Sequence, residues 1–268
     1  MKLTVLSDNN TLVGKYLEGE PGACYYIEDG DSRILLDTGF SDLFLRNAAR
    51  LGVDVSKVTA IAISHGHDDH VMGLPFLAQR MNLSKVKVFA HPYAFCPKRV
   101  DGQSNGTIMS QEAVEGLCSL TLTKEPCKIS ENIWFLGEIP RVFDFENKKP
   151  TGEFCCGGVW QEDFLLDDTA LAYQTERGFY IITGCSHSGI CNITEHAKAV
   201  CGQQKVLGII GGLHMFHHGE RLNRTVEYLK AQGEMEFWPC HCVSFEAKAA
   251  MNASIPVREV GAGLQIEW

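Results

Sequence analysis

The chemistry of this chain concentrates in one short stretch, Ser64-His65-Gly66-His67-Asp68-Asp69-His70. Within it, the pattern His-x-His-x-Asp-His brings together the metal-competent side chains of His65, His67, Asp69 and His70. Along an extended backbone alternate side chains point the same way, so His65 and His67 share one direction. A turn into a helix immediately afterwards would aim Asp69 and His70 at a second point a few ångströms away. Imidazole nitrogens with one carboxylate suit zinc, and iron or manganese also accept such donors. Gly66 lets a tight loop form with no side chain in the way. Cations held there would lower the pKa of water enough to leave hydroxide near neutral pH.

Ligands adjacent in sequence cannot complete such a site, so the fold must deliver others. Three further segments run from an apolar strand into a polar turn: Tyr180–Gly189 with Cys185 and His187, Ile210–His214 with a Gly-Gly pair, and Phe237–Cys242 with His241. Cys185 and His187 point to one side if the chain stays extended. A thiolate can serve a metal, since coordination removes its proton; the alternative makes Cys185 a small buried filler. Cys240 and Cys242, flanking His241, are expected to point elsewhere by alternation and to serve packing. His214 is placed to reach a pocket as an acid or a substrate contact, and Asn9, after the first strand, to donate to a substrate oxygen. His91 is read as structural, and His217-His218 as exposed.

These residues need strands to carry them and turns to present them. Leu3–Ser7, Ala23–Glu28, Arg33–Leu36, Ala60–Ile63 and Val86–Ala90 read as strands in the first half. Ser41-Asp42 caps a helix that ends at Gly52. Asn132–Leu136, Phe164–Tyr173, Gly178–Ile182, Val206–Ile210 and Phe237-Trp238 read as strands in the second half, with helices over Thr194–Val200, Leu222–Lys230 and Ser244–Met251 and two brief strands at the end. Strands lead and helices alternate in each half. That order predicts an α/β (α+β) αββα sandwich, two mixed β-sheets packed face to face with helices on the outer faces. One domain over residues 1–268 is expected, with 96–117 as a loop or lid over the site.

The histidine turn resembles the signature of the metallo-β-lactamase fold superfamily, and Ile34-Leu35-Leu36-Asp37-Thr38-Gly39 resembles that superfamily's first motif. The resemblance implies that Asp37 orients ligands without binding metal. It sets Cys185 where the superfamily offers a bridging carboxylate, and His241 at the last ligand position. The superfamily also supplies a separate histidine before that carboxylate, yet no histidine lies between His91 and His187. Either His187 takes that role or the second ion is held less completely. Asp8-Asn9-Asn10, Gly184–Ile190, Ile210–His214 and Pro239–Cys242 together resemble the branch containing the dihydropterin ribofuranosyl-aminobenzene phosphate synthases and bacterial metal-dependent hydrolases. The implied activity is a zinc-dependent hydrolase, dinuclear, turning a metal-bound hydroxide on an ester, lactone or phosphoester. Asp69 would both ligate and handle the nucleophile's proton. The alternative is a synthase-like transferase on phosphorylated pterin-type substrates.

Composition narrows the partners. With 24 Lys+Arg against 33 Asp+Glu the net charge is -9, which disfavours nucleic acid held by bulk charge. The apolar runs are too short for a bilayer, and Met1–Ser7 reads as a core strand, so a cytoplasmic protein with a small-molecule, perhaps phosphorylated, substrate is expected. Eleven cysteines, an odd number in a chain of 268 residues, do not read as a disulfide framework. Two other readings compete. A di-iron electron-transfer centre generally has Glu in place of His67. A thiol sensor would use the vicinal pair Cys155-Cys156.

Overall fold

The structure is a computed structural model that describes residues 1–146 and 148–268. The first half of the chain runs β1 (Lys2–Ser7), β2 (Cys24–Asp29), β3 (Ser32–Leu36), α1 (Leu43–Leu51), β4 (Ala60–Ala62), α2 (Asp68–Val71), α3 (Leu74–Arg80), β5 (Lys87–Ala90), β6 (Lys98–Val100), β7 (Gln103–Ser104), α4 (Gln111–Glu115) and β8 (Ser119–Leu122). The second runs β9 (Cys127–Lys128), β10 (Ile133–Phe135), β11 (Glu153–Cys156), β12 (Val159–Glu162), β13 (Ala170–Thr175), β14 (Gly178–Thr183), α5 (Ile190–Cys201), β15 (Val206–Gly211), α6 (Glu220–Ala231), β16 (Glu236–Pro239), α7 (Phe245–Asn252) and β17 (Gln265–Glu267).

Two large mixed sheets carry the fold. The first has the order β17-β1-β2-β3-β4-β5-β8 and the second β16-β15-β14-β13-β10-β9. In the first, β3, β4, β5 and β8 are parallel. In the second, β14, β15 and β16 are parallel. Their strands read as nearly continuous apolar runs because both faces are covered. Ile34, Leu36, Ala60, Ala62 and Phe89 meet Phe135, Leu171, Ile182, Ile210 and Trp238 between the sheets. Leu35, Ile61 and Val88 turn outward against Phe44, Leu74 and Leu77 of the flanking helices. Ile181, Ile209 and Phe237 do the same under Ile193, Leu229 and Met251. This is the αββα sandwich expected from the element order. No helix among the described residues is long and apolar enough to cross a membrane.

Three local departures matter. Helix α3 follows directly on the histidine turn, where the sequence gave no strong cap signal. The stretch expected as a strand from Phe164 begins only at Ala170, because Asp163, Asp167 and Asp168 are buried and bind neighbouring groups instead of entering a ladder. Segment 96–117, expected as loop or lid, holds β6, β7 and α4; β6 and β7 join β11 and β12 in a third sheet of order β12-β11-β6-β7. This small sheet lies against the histidine turn, with Gly106 bridged to His67.

The layer between the sheets should dominate stability. Phe135→Ala, at a fully buried ring, is expected to cost about 3–5 kcal/mol in urea unfolding, while Val13→Ala, at a side chain 95% exposed, stays within about 0.5 kcal/mol. Equal midpoints for the two variants would contradict the assignment of this core.

Candidate metal centre

Every candidate site residue stands just beyond the C-terminal end of a strand, where α/β folds gather their ligand-binding loops. Strand β1 leads to Asn9, β3 to Asp37, β4 to His65 through His70, β14 to Cys185 and His187, β15 to His214 and β16 to His241. The sheets therefore do the converging, and residues 232 positions apart touch, as Asn9 Oδ1 and His241 Nδ1 do at 2.9 Å.

The histidine turn is held from beneath by one carboxylate. Asp37 is fully buried, and its Oδ1 accepts the Ser64 N–H at 2.7 Å while Oδ2 accepts the Ser64 hydroxyl at 2.6 Å. His70 Nδ1 lies 2.6 Å from the same Oδ2, which leaves Nε2 facing the cluster. From the other side Asp167 Oδ2 accepts the Gly66 N–H at 2.8 Å. Gly66 has no alternative, since a Cβ there would stand 2.1 Å from the Ala94 carbonyl oxygen.

Two donor groups result. His65, Cys185 and His187 bring ligating atoms within 4.8 Å of one another, and so do His70, Cys185 and His241; Cys185 belongs to both. His67 closes on the first, with Nδ1 at 3.1 Å from His65 Nε2. Its ring and that of His65 stand 4.9 and 4.8 Å from the ring of His187. Asp69 closes on the second, 3.2 Å from His241 Nε2 and 3.6 Å from His70 Nε2. His187 thus occupies the first group, beside His65 and His67, where a histidine between residues 91 and 187 was missing.

The donor chemistry fits cations. Donors around one tetrahedral zinc stand about 3.3–3.6 Å apart, given bonds of roughly 2.0–2.3 Å. His65 Nε2 to His67 Nδ1 is 3.1 Å and Cys185 Sγ to His70 Nε2 is 3.2 Å. Neither ring nitrogen of the buried His187 has a hydrogen-bond partner, nor does Nε2 of His67 or of His241. Buried polar atoms are almost always bonded, so four orphaned nitrogens in one cluster point to a group that would bind them. Burial drives the pKa of His65 and His187 well down, reinforced by neighbouring histidines, and lowers His67 to about 3. These rings are therefore neutral, the form that ligates. Burial also opposes charge on His70, but Asp69 and Asp37 outweigh it and raise this histidine to about 9.

Around the cluster lies a cavity of about 520 Å³, lined in part by Asn9, Phe40, Asn105, Thr151, His214 and Phe216. His214 adopts a left-handed backbone (φ 47°), and its ring stands 4.3 Å from His187. Burial, then Arg221 and His241, lower it to about 4. Asn9 lines the cavity, but its Oδ1 faces His241 Nδ1, while Asp8 Oδ2 accepts the His241 N–H at 3.0 Å. Cys242 corrects the sequence reading. Strand β16 ends at Pro239, and the left-handed turn at His241 (φ 52°) breaks the alternation. Cys242 then lines the cavity and accepts the His214 N–H at 3.2 Å, whereas Cys240 does turn away, 3.2 Å from the Tyr25 hydroxyl. His91 pairs with Glu138 at 3.0 Å, away from the cluster.

Sequence reasoning also missed the carboxylates behind the site. Lys98 is buried against Asp163 at 2.6 Å and Asp167 at 3.2 Å. Asp168 accepts the Ser188 N–H at 2.8 Å, one residue beyond His187. The available signal was an Asp163…Asp167-Asp168 run inside an otherwise apolar stretch.

The electrostatics set a pH dependence for the metal-free protein. Unfolded histidines bind protons below about 6.5, whereas folded His67 and His214 resist until about 3 and about 4. The unfolded state then holds more protons, so stability rises with pH through this window and falls on acidification from 6.5 toward 4. His70 acts in the opposite sense, its contribution being lost as pH rises through about 9. Urea midpoints of chelator-treated protein should fall between pH 6.5 and 4, more steeply than those of His214→Asn; identical slopes would refute the assignment of His214.

Comparison with known proteins agrees with this geometry. Residues 17–200 match the sequence profile of the metallo-beta-lactamase superfamily. The chain is 34% identical over 252 residues to an uncharacterised protein of Methanocaldococcus jannaschii, covering 91% of each. It is 31% identical over 229 residues to the 7,8-dihydropterin-6-methyl-4-(beta-D-ribofuranosyl)-aminobenzene-5'-phosphate synthase of the same organism, covering 81% of this chain and 77% of that one. A crystal structure of a metal-dependent hydrolase of the beta-lactamase superfamily aligns with a TM-score of 0.85 at 28% identity, over 100% of this chain and 99% of the other. The chain belongs to the metallo-β-lactamase superfamily.

Proposed function

We propose that the protein is a dinuclear, zinc-dependent hydrolase of a small ester, lactone or phosphoester. The observation that carries this reading is the pair of donor groups sharing Cys185, with both nitrogens of His187 left without partners. His65, His67 and His187 would hold one ion, and Asp69, His70 and His241 the other, with Cys185 between them. Cations held there make water a nucleophile near neutral pH and polarise a carbonyl or phosphoryl group.

The chain's own residues supply the rest. Asp69 faces both His70 and His241, and these imidazoles hold its carboxyl well below the usual range despite burial. It is thus available to accept a hydrogen bond from attacking water and to take its proton. His214, neutral at pH 7, donates a ring N–H to the substrate oxygen on which charge develops. Asn9, bonded to His241 through Oδ1, keeps its amide N–H₂ for a substrate oxygen. A cavity of about 520 Å³ suits a small molecule, and the half-exposed rings of Phe40 and Phe216 at its wall offer contact to an apolar portion. The synthase of Methanocaldococcus jannaschii, 31% identical to this chain, favours a second reading, transfer chemistry on a phosphorylated pterin-type substrate.

Metal analysis separates the roles. Purified protein loaded with zinc should carry a pair of ions, and His187→Ala or Cys185→Ser should lower that content; unchanged content in both would remove the dinuclear assignment. Asp37→Ala should cost roughly 10–100-fold in metal affinity or activity through loss of ligand orientation. On an aryl ester, a lactone and a phosphodiester, His214→Ala should lower kcat by roughly 10²–10³-fold with metal content intact. Turnover only with a dihydropterin pyrophosphate and an aminobenzene ribofuranosyl phosphate, and none by hydrolysis, would establish the transferase instead.

A further inference from the structure

Outside the metal cluster, the small sheet brings two thiols face to face. Strand β11 runs antiparallel to β6 with Glu153 opposite Arg99 and Phe154 opposite Lys98. The Cys155 N–H donates to the Pro97 carbonyl at 2.8 Å, which continues the ladder by one residue. One residue further, the same register sets Cys156 opposite Cys96. Since 155 and 97 form the hydrogen-bonded position, 156 and 96 take the non-hydrogen-bonded one, where facing Cα atoms stand about 4.5 Å apart and side chains are closest. That spacing falls within the span of roughly 4.4–6.8 Å that a disulfide bridges. Cys155 lies next to Cys156, but alternation sends its side chain to the other face of the sheet. All three cysteines are free and partly accessible. Burial first, and then the Cys156 thiol, raise the Cys96 thiol to about 11, which places the two side chains within reach of each other.

We propose that Cys96 and Cys156 form a redox-modification site, closed to a cross-strand disulfide by a small-molecule hydroperoxide. Cys156 sulfur attacks the peroxide O–O bond, becoming a sulfenic acid and releasing an alcohol or water. Cys96 sulfur then attacks the sulfenic sulfur, the S–S bond forms and water leaves. The two thiols lose two electrons and the peroxide gains them.

The bond would tighten the support of the histidine turn. Cys96 is two residues from Lys98, whose ammonium is pinned to Asp163 and Asp167, and Asp167 holds the Gly66 N–H at 2.8 Å. Beyond β7, the Asn105 carbonyl accepts the Asp68 N–H at 3.2 Å. Tying β11 to the approach of β6 restrains both contacts, so the Gly66 and Asp68 amides open less often.

Treatment of the folded, reduced protein with hydrogen peroxide tests this without reference to the metal reading. The native thiol titre should fall from eleven by two, and peptide mapping should join the peptides of Cys96 and Cys156. Cys155→Ser should keep the cross-link, and Cys156→Ser and Cys96→Ser should each abolish it. Amide hydrogen exchange of the 64–70 segment should slow on oxidation and recover with dithiothreitol. A Cys155–Cys156 link, or no cross-link while other thiols oxidise, would overturn the site. Unchanged exchange in the cross-linked protein would overturn its coupling to the histidine turn.

Discussion

A single buried carboxylate fixes the geometry on which the rest of the centre depends. Asp37 leaves β3 with a left-handed backbone, has no solvent access, and receives the Ser64 amide, the Ser64 hydroxyl and the His70 Nδ1 hydrogen. An ionised carboxylate stripped of water is costly unless its oxygens are bonded, and here the bonds all go to the histidine turn. The turn thereby acquires one conformation, and the tautomer of His70 is set with Nε2 facing inward. Gly184 adds a steric reason for the arrangement, because a Cβ there would meet Ser64 Oγ at 2.1 Å.

Around that anchor the two sheets act as a converging frame. Parallel strands of each sheet end on the same side, so polar loops from distant segments share one end of the sandwich while the apolar layers lie behind them. Burial then decides protonation. The same desolvation that keeps His65 and His187 neutral would penalise any isolated charge, and only His70, next to Asp37 and Asp69, escapes it. A thiol at Cys185 between two groups of imidazoles makes this donor set softer than an all-oxygen bridge, a property that favours zinc over manganese within the proposed function.

The third sheet gives the site its second wall. Lys98, Asp163 and Asp167 form a buried charged cluster whose members neutralise one another, and one carboxylate oxygen is left to hold Gly66. The histidine turn is thus gripped at Ser64 by the first large sheet and at Gly66 and Asp68 by the small sheet and its neighbouring loop.

The sequence by itself determined the layers and most of the candidate ligands. Apolar runs with helical segments between them require a two-sheet sandwich covered on both sides, and His-x-His-x-Asp-His is too concentrated a set of donors to be a solvated loop. His187 and His241 were legible because each follows an apolar strand at a polar turn. What depends on several chain segments at once had no local signature. That His187 joins His65 and His67 is a property of the distance between two strand ends. Cys242 enters the cavity because His241 adopts a positive φ, which alternation along a strand cannot foresee. Asp163, Asp167 and Asp168 left their expected strand because buried partners elsewhere, Lys98, Gly66 and Ser188, satisfy them better than a ladder position would. Periodicity reports which face of an element is apolar; only packing decides which polar groups meet there.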